Sequence, residues 1–171
     1  MAELAVELVV AVARIVAALV FSAGALYSGM NLLDRLTPGV DEWKEIRKGN
    51  AALGILSAAV MVSTFLVVEP RISDLLFYIQ ADLPVLLTVK LVAVMGLNYL
   101  LALLSGIALI FLTISLIDRI TPDLDELAEL KKGNLAVAIL LSAALILIIT
   151  SAGAPLETIF SILKDVESTI I

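Results

Sequence analysis

The chain has 171 residues, a formal net charge of −6 and 61% hydrophobic residues, well above the roughly 45–50% apolar content of soluble domains. This composition indicates a membrane protein, and the acidic balance argues against a nucleic-acid partner. The sequence contains no cysteine and no histidine, which excludes disulfides, thiolate chemistry and the commonest metal ligand. We therefore expect no cofactor and no metal site.

Four uncharged stretches follow one another along the chain, at residues 15–33, 49–68, 91–117 and 133–156. Each is long enough for an α-helix to cross a hydrocarbon core of about 30 Å. None has the polar face that a helix of a soluble bundle requires. Glu3 and Glu7 stand where a signal peptide carries basic residues, so we expect the first helix to be retained. The sequence predicts an all-α membrane protein with four transmembrane helices.

The two halves of the chain are copies of one unit. A shift of 84 residues aligns DRLTPGVDEWKEIRKGN at 34–50 with DRITPDLDELAELKKGN at 118–134. We divide the chain into a first repeat, 1–88, and a second repeat, 89–171. Each has two spans joined by an elbow, the first elbow at 34–50 and the second at 118–134. Two crossings return the chain to its starting side, so we expect parallel helical-hairpin repeats related by a pseudo-twofold axis along the membrane normal.

Features outside the elbows recur as well. After the second and fourth spans, a proline introduces a mixed apolar and charged segment at 69–84 and at 155–171, which predicts two short interfacial helices. Small residues four positions apart are typical of helix contacts in lipid. Such pairs occur at Ala18 and Ser22, Gly54 and Ala58, Ala102 and Gly106, and Ala138 and Ser142.

The first half of each elbow has the pattern of a helix start. In the first elbow, Thr37 is suited to the N-cap and Pro38 to the first helical position. Apolar residues then recur every third position, at Val40, Trp43 and Ile46. This spacing gives one narrow apolar stripe opposite the charges. We expect each elbow helix to be amphipathic and to lie on the membrane surface.

The second half of each elbow predicts a corner. Lys48 falls in the last turn of the elbow helix, and Gly49 can adopt the left-handed conformation that ends helices. Asn50 can then cap the helix that enters the bilayer. Glu45 and Lys48 are spaced to form an ion pair. A re-entering hairpin needs such a corner, so architecture alone can explain the repeated motif.

The alternative is that the repeated motif binds an ion, a lipid headgroup or a partner. The candidate binding residues are Asp34, Arg35 and Asn50 and their counterparts Asp118, Arg119 and Asn134. Uncharged polar residues on the first and third spans are candidates for lining a pore, namely Ser28, Asn31, Thr113 and Ser115. The architectural interpretation, in which hydroxyls satisfy backbone or neighbouring helices, stays open for these four.

Basic residues predict the orientation. The elbows hold Arg35, Lys44, Arg47, Lys48, Arg119, Lys131 and Lys132, seven of the eleven Lys and Arg residues. The remaining four are Arg14, Arg71, Lys90 and Lys164. Because short cytoplasmic loops carry the excess of basic residues, we expect cytoplasmic elbows, with the N- and C-termini outside.

The repeated DR[LI]TP, glutamate and KGN motif, followed by an alanine-rich span, resembles a family of small inner-membrane proteins catalogued as domain of unknown function 350. Both copies are intact, at 34–50 and 118–134, and the resemblance covers nearly the whole chain. It implies a duplicated two-span module in the inner membrane. Some relatives are encoded near envelope-stress proteins, which implies a role in membrane maintenance.

These patterns leave two functional hypotheses. The first is an oligomeric channel or carrier for a small ion or solute, with a pore shared between subunits of a homo-oligomer in the lipid bilayer. The second is a non-transporting scaffold or envelope-stress sensor whose elbow helices recruit a cytosolic partner or sense lipid. An enzyme is not expected. The sequence has no histidine and no cysteine, and no pattern in it indicates a pair of buried carboxylates.

Overall fold

The computed structural model describes the backbone of residues 2–79 and 84–170 and the side chains of residues 3–77, 79, 84 and 86–162. Six helices follow in chain order: α1 Ala2–Leu36, α2 Glu42–Arg47, α3 Ala51–Tyr78, α4 Val85–Ile120, α5 Glu126–Lys131 and α6 Leu135–Ile170. No strand occurs within the described ranges. The all-α fold predicted from the sequence is confirmed.

The four long helices, α1, α3, α4 and α6, are each long and apolar enough to cross a membrane. Even the shortest, α3, has 28 residues and so exceeds a core of about 30 Å at about 1.5 Å per residue. The chain is therefore a multi-pass membrane protein. α1 begins at Ala2, well before the predicted span at 15–33. Residues 2–14 contain neither proline nor glycine, so nothing in them interrupts the helix.

The two predicted interfacial segments do not form separate helices in the described residues, so the expectation of two short helices was wrong, whereas their position at the membrane interface stays a prediction. Pro70 lies inside α3, which runs on to Tyr78, and Pro155 lies inside α6. A proline removes one backbone hydrogen bond but does not end a helix when helix-forming residues follow it. Residues 80–83 of the first segment and residue 171 of the second lie outside the described residues.

The helix α3 is the centre of the bundle and packs against α1, α4 and α6. Leu53, Val60 and Val68 of α3 are fully buried. Gly29 of α1 approaches α3 so closely that a β-carbon there would stand 2.9 Å from the Thr64 hydroxyl oxygen. Gly106 of α4 packs on the Val67 side chain in the same manner, with 3.3 Å between its ideal β-carbon and that of Val67. Small residues therefore set the α1–α3 and α3–α4 contacts, as expected in lipid.

The repeats are not packed about a pseudo-twofold axis, and this expectation was wrong. A twofold that brings α3 against α4 must also bring α6 against α1. In the part of the chain that the structure describes, α3 packs along α4 but α6 does not pack along α1. The two repeats are therefore not arranged about a twofold axis, and α1 and α6, which such an axis would bring together, do not pack along each other.

Charged side chains tie the helices together at the end opposite the elbows. The Arg71 guanidinium is buried, pairs with the carboxylates of Asp74 and Glu157, and lies 4.9 Å from the centre of the Phe160 ring. Because Glu157 belongs to α6, this ion pair joins the two repeats. Arg14 of α1 donates to the carbonyl of Ile79 at 2.8 Å. These contacts hold the far ends of α1, α3 and α6 in register.

Candidate functional site

The first elbow begins with a turn rather than with a helix. Thr37 directly follows α1 and is bonded to its last turn, because its backbone N–H and its hydroxyl both donate to the Leu33 carbonyl. Val40 N–H then bonds the Thr37 carbonyl at 3.0 Å, with Gly39 at φ 77°. Proline followed by a glycine with positive φ is typical of a type II turn. The predicted helix start at Thr37 and Pro38 was therefore wrong.

The helix α2 starts four residues later than expected. Asp41 is its N-cap and accepts the Lys44 N–H at 2.9 Å. In the second elbow, Asp125 caps α5 in the same way through the Ala128 N–H at 2.9 Å. The capping residue was misassigned because both Thr37 and Asp41 are good N-caps, and the sequence does not say which hydroxyl or carboxylate is already engaged.

The corner predicted after α2 is confirmed. Gly49 has φ 88°, its N–H bonds the Ile46 carbonyl at 2.9 Å, and the Asn50 N–H bonds the Glu45 carbonyl at 3.0 Å. These two bonds form a Schellman motif, which ends a helix on a left-handed glycine. The Asn50 side chain then accepts the Leu53 N–H at 3.1 Å and caps α3.

The second corner repeats this geometry at Gly133, with φ 81°, and at Asn134, whose N–H bonds the Glu129 carbonyl at 3.0 Å. Lys48 pairs with Glu45 in the first elbow, and Lys132 pairs with Glu129 in the second, as their spacing predicts. The local structure of the motif is therefore the same in both copies.

The two matching asparagines have different partners. The Asn50 amide nitrogen donates to the Leu130 carbonyl at 2.9 Å and lies 3.4 Å from the Lys131 carbonyl, so it joins the two elbows. The Asn134 amide nitrogen instead donates to the carboxylate of Glu129, within its own elbow, at 2.8 Å. Of the six predicted binding residues, Asn50 is the one that makes a hydrogen bond between the repeats.

The remaining predicted binding residues lie exposed at the elbow ends of α1 and α4. Asp34 and Arg35 are exposed, as are Asp118 and Arg119. Asp34 interacts with the carboxylate of Glu42, and Asp118 interacts with Glu126. The structure therefore places a pair of carboxyl groups in each elbow, which the sequence did not reveal.

Glu42 is the site residue that the sequence analysis missed. Its side chain is 1% exposed and contacts the Thr37 hydroxyl. Burial, followed by the neighbouring Asp34 carboxyl, raises the pKa of Glu42 above its usual 4.5. The hydrogen bond from the Thr37 hydroxyl to the Glu42 carboxylate acts in the opposite direction and lowers this pKa, but burial and Asp34 outweigh it. The only sequence signal was the recurrence of Thr and Glu five residues apart in both elbows.

A cleft of about 330 Å³ opens between the repeats at the elbow end. We call it the inter-repeat cleft. Its apolar and hydroxyl lining comes from Leu33, Leu36, Thr37, Pro38, Leu56, Ile114, Leu127, Leu130 and Leu141. Its carboxylates are Asp118, Asp125 and Glu126, all from the second repeat. It is therefore an apolar space between two repeats with acidic groups supplied by one of them.

The four candidate pore residues take separate positions. Ser28 and Thr113 donate their hydroxyls to carbonyls of their own helices, at Gly24 and Leu109, each at 2.8 Å. Asn31 lines a second pocket of about 310 Å³, which also includes Asp34 and Trp43. Ser115 is half-buried on α4. The first two hydroxyls therefore satisfy backbone groups of their own helices.

Two matches to one family model cover nearly the whole chain, at residues 4–95 and 87–163. The model describes a domain of unknown function, DUF350. The chain belongs to the DUF350 family. The two matched ranges confirm the internal duplication, whereas the division at residue 88 stays a prediction. No curated protein and no solved structure matches the chain.

The DUF350 description carries no catalytic or binding residues to this chain. Among the described residues, no group of three or more Asp and Glu side chains is arranged to hold a metal ion. The features of this chain that bear on function are therefore the inter-repeat cleft, the two carboxyl pairs and the polar contacts of the elbows.

Proposed function

We propose that this protein is an oligomeric channel or carrier for a small ion, in the inner membrane, and that the inter-repeat cleft is its cytoplasmic mouth. The observation that carries the proposal is the cleft itself, which lies where the two repeats meet at the elbow end. Transporters built from repeats commonly place their substrate path at the repeat interface. A space of about 330 Å³ is large enough for a hydrated ion or a small solute.

The charges of the cleft favour a cation. Asp118, Asp125 and Glu126 line it, and the chain as a whole carries a net charge of −6. Rings of acidic side chains at channel mouths attract cations and so raise the local cation concentration before the narrow part of the path. The apolar wall formed by Leu33, Leu56 and Leu141 supplies the low-dielectric surroundings that strengthen this effect.

The same proposal includes the topology. Two hairpins of the same topology would place both elbows on the cytoplasmic face and both termini outside, since the elbows hold most of the basic residues. The elbow helices α2 and α5 would rest at the interface, with Trp43 anchored among headgroups. A reporter active only in the cytoplasm should be silent at the C-terminus and active when inserted at the exposed Asp123.

Flux in liposomes tests transport. Protein reconstituted with an entrapped cation-sensitive dye should pass a monovalent cation, and Asp118→Asn should lower the rate several-fold, because the cleft loses a carboxylate. Asp123→Asn is the matched control, since Asp123 is an exposed acid of the same elbow that does not line the cleft. Liposomes that stay tight to every cation tried, or equal losses in the two variants, would contradict the proposal.

A second candidate is a scaffold or envelope-stress sensor that recruits a cytosolic partner. The observation that favours it is the outer face of α2, where Trp43 is 55% exposed beside the exposed Lys44 and Arg47. An exposed tryptophan among basic residues suits either lipid headgroups or an acidic partner surface. Neither candidate gives the protein a catalytic role.

The scaffold candidate has a separate test. Reversing the charges at Glu45 and Lys48, and at the matching Glu129 and Lys132, none of which lines the cleft, should abolish recovery of a cytosolic partner and leave cation flux unchanged. Unchanged partner recovery together with altered flux would favour the channel or carrier instead.

A further inference from the structure

The contact between the repeats uses a row of α3 whose counterpart on α6 is left open. For each residue we call the residue 84 positions away its repeat mate. Leu56, Ser63 and Val67 lie on one face of α3 and are buried. Their mates on α6 are Leu140, Leu147 and Ser151, all exposed, and the two apolar ones are more than half exposed. α6 therefore presents again the surface with which α3 packs in the bundle.

The other side of that contact is duplicated in the same way. Met95 and Ile110 of α4 are buried, and Gly106 between them packs on Val67. Their mates on α1 are Ala11, Leu26 and Ser22. The first two are exposed, and Ser22 is half-buried. α1 thus presents a counterpart of the surface that α4 presents to α3, and this surface is largely exposed.

We infer that the α6 row of one copy receives the α1 row of a second copy, in the geometry with which α3 holds α4 inside the chain. The contact is head-to-tail, because α6 of each copy meets α1 of the next. Contacts of this kind form a closed ring when the rotation between subunits divides a full turn. The inference rests on packing alone and holds whether or not the protein transports an ion.

The elbows complete the same contact. Inside the chain the Asn50 amide donates to the carbonyls of Leu130 and Lys131. The mates of these three residues are Asn134, Ile46 and Arg47. In the ring, Asn134 donates to the Ile46 carbonyl of the second copy and gives up its bond to Glu129. Glu129 keeps its ion pair with Lys132, so the exchange leaves no charge without a partner.

A second copy fits these rows better than lipid alone does. The α1 and α6 rows are complementary to each other because their mates already pack together within one chain. At the closest point, the mates of Gly106 and Val67 are Ser22 and Ser151, and two small residues allow the backbones to approach. Ser151 donates its hydroxyl to the Leu147 carbonyl of its own helix, so its burial leaves no donor unsatisfied.

Disulfide trapping tests the inference in a chain that has no cysteine of its own. The β-carbons at 67 and 106 would be 3.3 Å apart, close to the roughly 3.5–4.5 Å of a disulfide. The template variant Val67→Cys with Gly106→Cys should therefore close within the chain, and trypsin fragments cut at Arg71 and Lys90 should stay joined. If no disulfide forms between positions 67 and 106, the α3–α4 contact on which the inference is based is absent, and the inference is overturned.

The variant Ser22→Cys with Ser151→Cys places the mates of that pair in one chain. Oxidation in native membranes should convert the 18.1 kDa chain into a ladder of dimers and higher species in denaturing gels. Ser22→Cys with Thr150→Cys is the control for random collision, since Thr150 is exposed at the same depth but about 100° around α6.

A ladder in the first variant and not in the control supports the inference. Monomers in both, or equal ladders in both, overturn it and leave these rows to lipid. The readout is independent of transport, so loss of flux with an intact ladder would reject the proposed function and keep the ring.

Discussion

The two elbows share most of their sequence and yet do different things. Both end a short helix on a left-handed glycine, and both use an asparagine to cap the next long helix. The Asn50 amide joins the second elbow, whereas the Asn134 amide turns back to Glu129. The first elbow thus contacts the second elbow, whereas the matching amide of the second elbow bonds within its own elbow. Local structure thus follows the motif, and tertiary partners follow the position of the motif in the chain.

The acidic groups differ in the same direction. Glu42 is 1% exposed, while its mate Glu126 is only half-buried and lines the inter-repeat cleft. Both contact a threonine hydroxyl five residues earlier. The contact itself is therefore local, and the burial of Glu42 comes from the helices around it. The carboxylate of Glu42 is enclosed, and that of Glu126 faces the inter-repeat cleft.

The asparagines give the largest expected difference between the elbows. Asn50→Ala loses an N-cap, about 1 kcal/mol, and the hydrogen bond to the Leu130 carbonyl, about 1 kcal/mol more. Asn134→Ala loses the cap and an exposed contact, so about 1 kcal/mol in total. Free energies of unfolding of the monomer in detergent measure both. Equal losses would mean that the bond between the elbows contributes nothing.

Substitution of the corner glycines should destabilise the two elbows equally. Gly49→Ala and Gly133→Ala each force a β-carbon into the left-handed region, at a cost of about 1 kcal/mol. No atom crowds the β-carbon position at Gly49, and at Gly133 the nearest is the Asn50 side-chain oxygen at 3.9 Å, an ordinary contact. The two variants should therefore unfold at the same denaturant concentration. Gly54→Ala, at an ordinary helical position with open space, is the control that should be neutral or stabilising.

The corners were predictable because they depend on neighbours in sequence. Gly49 and Asn50 need only a helix before them and a helix after them, and both are readable from hydropathy and charge. The four spans were predictable for the same reason. The partner of Asn50 lies 80 residues away, and the burial of Glu42 accompanies the packing of α2 against α3. Neither feature can be recognised from the local sequence, because Asn134 and Glu126 occur in the same local motif but have different neighbours in the fold.

The continuation of α3 past Pro70 shows a second kind of miss. A proline after a span is typical of a boundary, yet helix-forming residues follow it, and Arg71 two turns before the helix end pairs with Glu157 of α6. The inter-repeat ion pair helps to hold the extended helix in place. Because position 155, the mate of Arg71, is a proline, the repeat alignment gave no sign of this pair.

The carboxyl pairs should give the two elbows a different pH dependence of stability. The expected effect on stability is smaller than that of the asparagine and glycine variants. The pKa of Glu42 is raised by burial and by Asp34, so the folded state holds its proton more tightly than the unfolded state. The resulting stability is fully present below the usual pKa of 4.5 and is lost as pH rises through the raised pKa. Glu42→Gln should flatten this part of the stability profile. Glu126→Gln, the matched change in the second elbow, should leave it in place; the same profile in wild type and Glu42→Gln would contradict the assignment.

The smallest expected effect is on the pKa of Glu129, which reports directly on the hydrogen-bond partner of the Asn134 amide. The hydrogen bond from the Asn134 amide, and then that from Lys132, lower the pKa of Glu129 below 4.5, so its contribution to stability is present above that pH and is lost as pH falls through the lowered pKa. Asn134→Ala should raise the pKa of Glu129 toward its usual value in a carboxyl NMR titration of the monomer. Asn50→Ala should not change it, since Asn50 does not contact that carboxylate. In the ring, Asn134 binds a carbonyl of the next copy, so the Glu129 titration should then resemble that of Asn134→Ala even in the wild-type chain. An unaltered titration on assembly would show that Asn134 keeps its partner and that the second elbow never takes the role of the first.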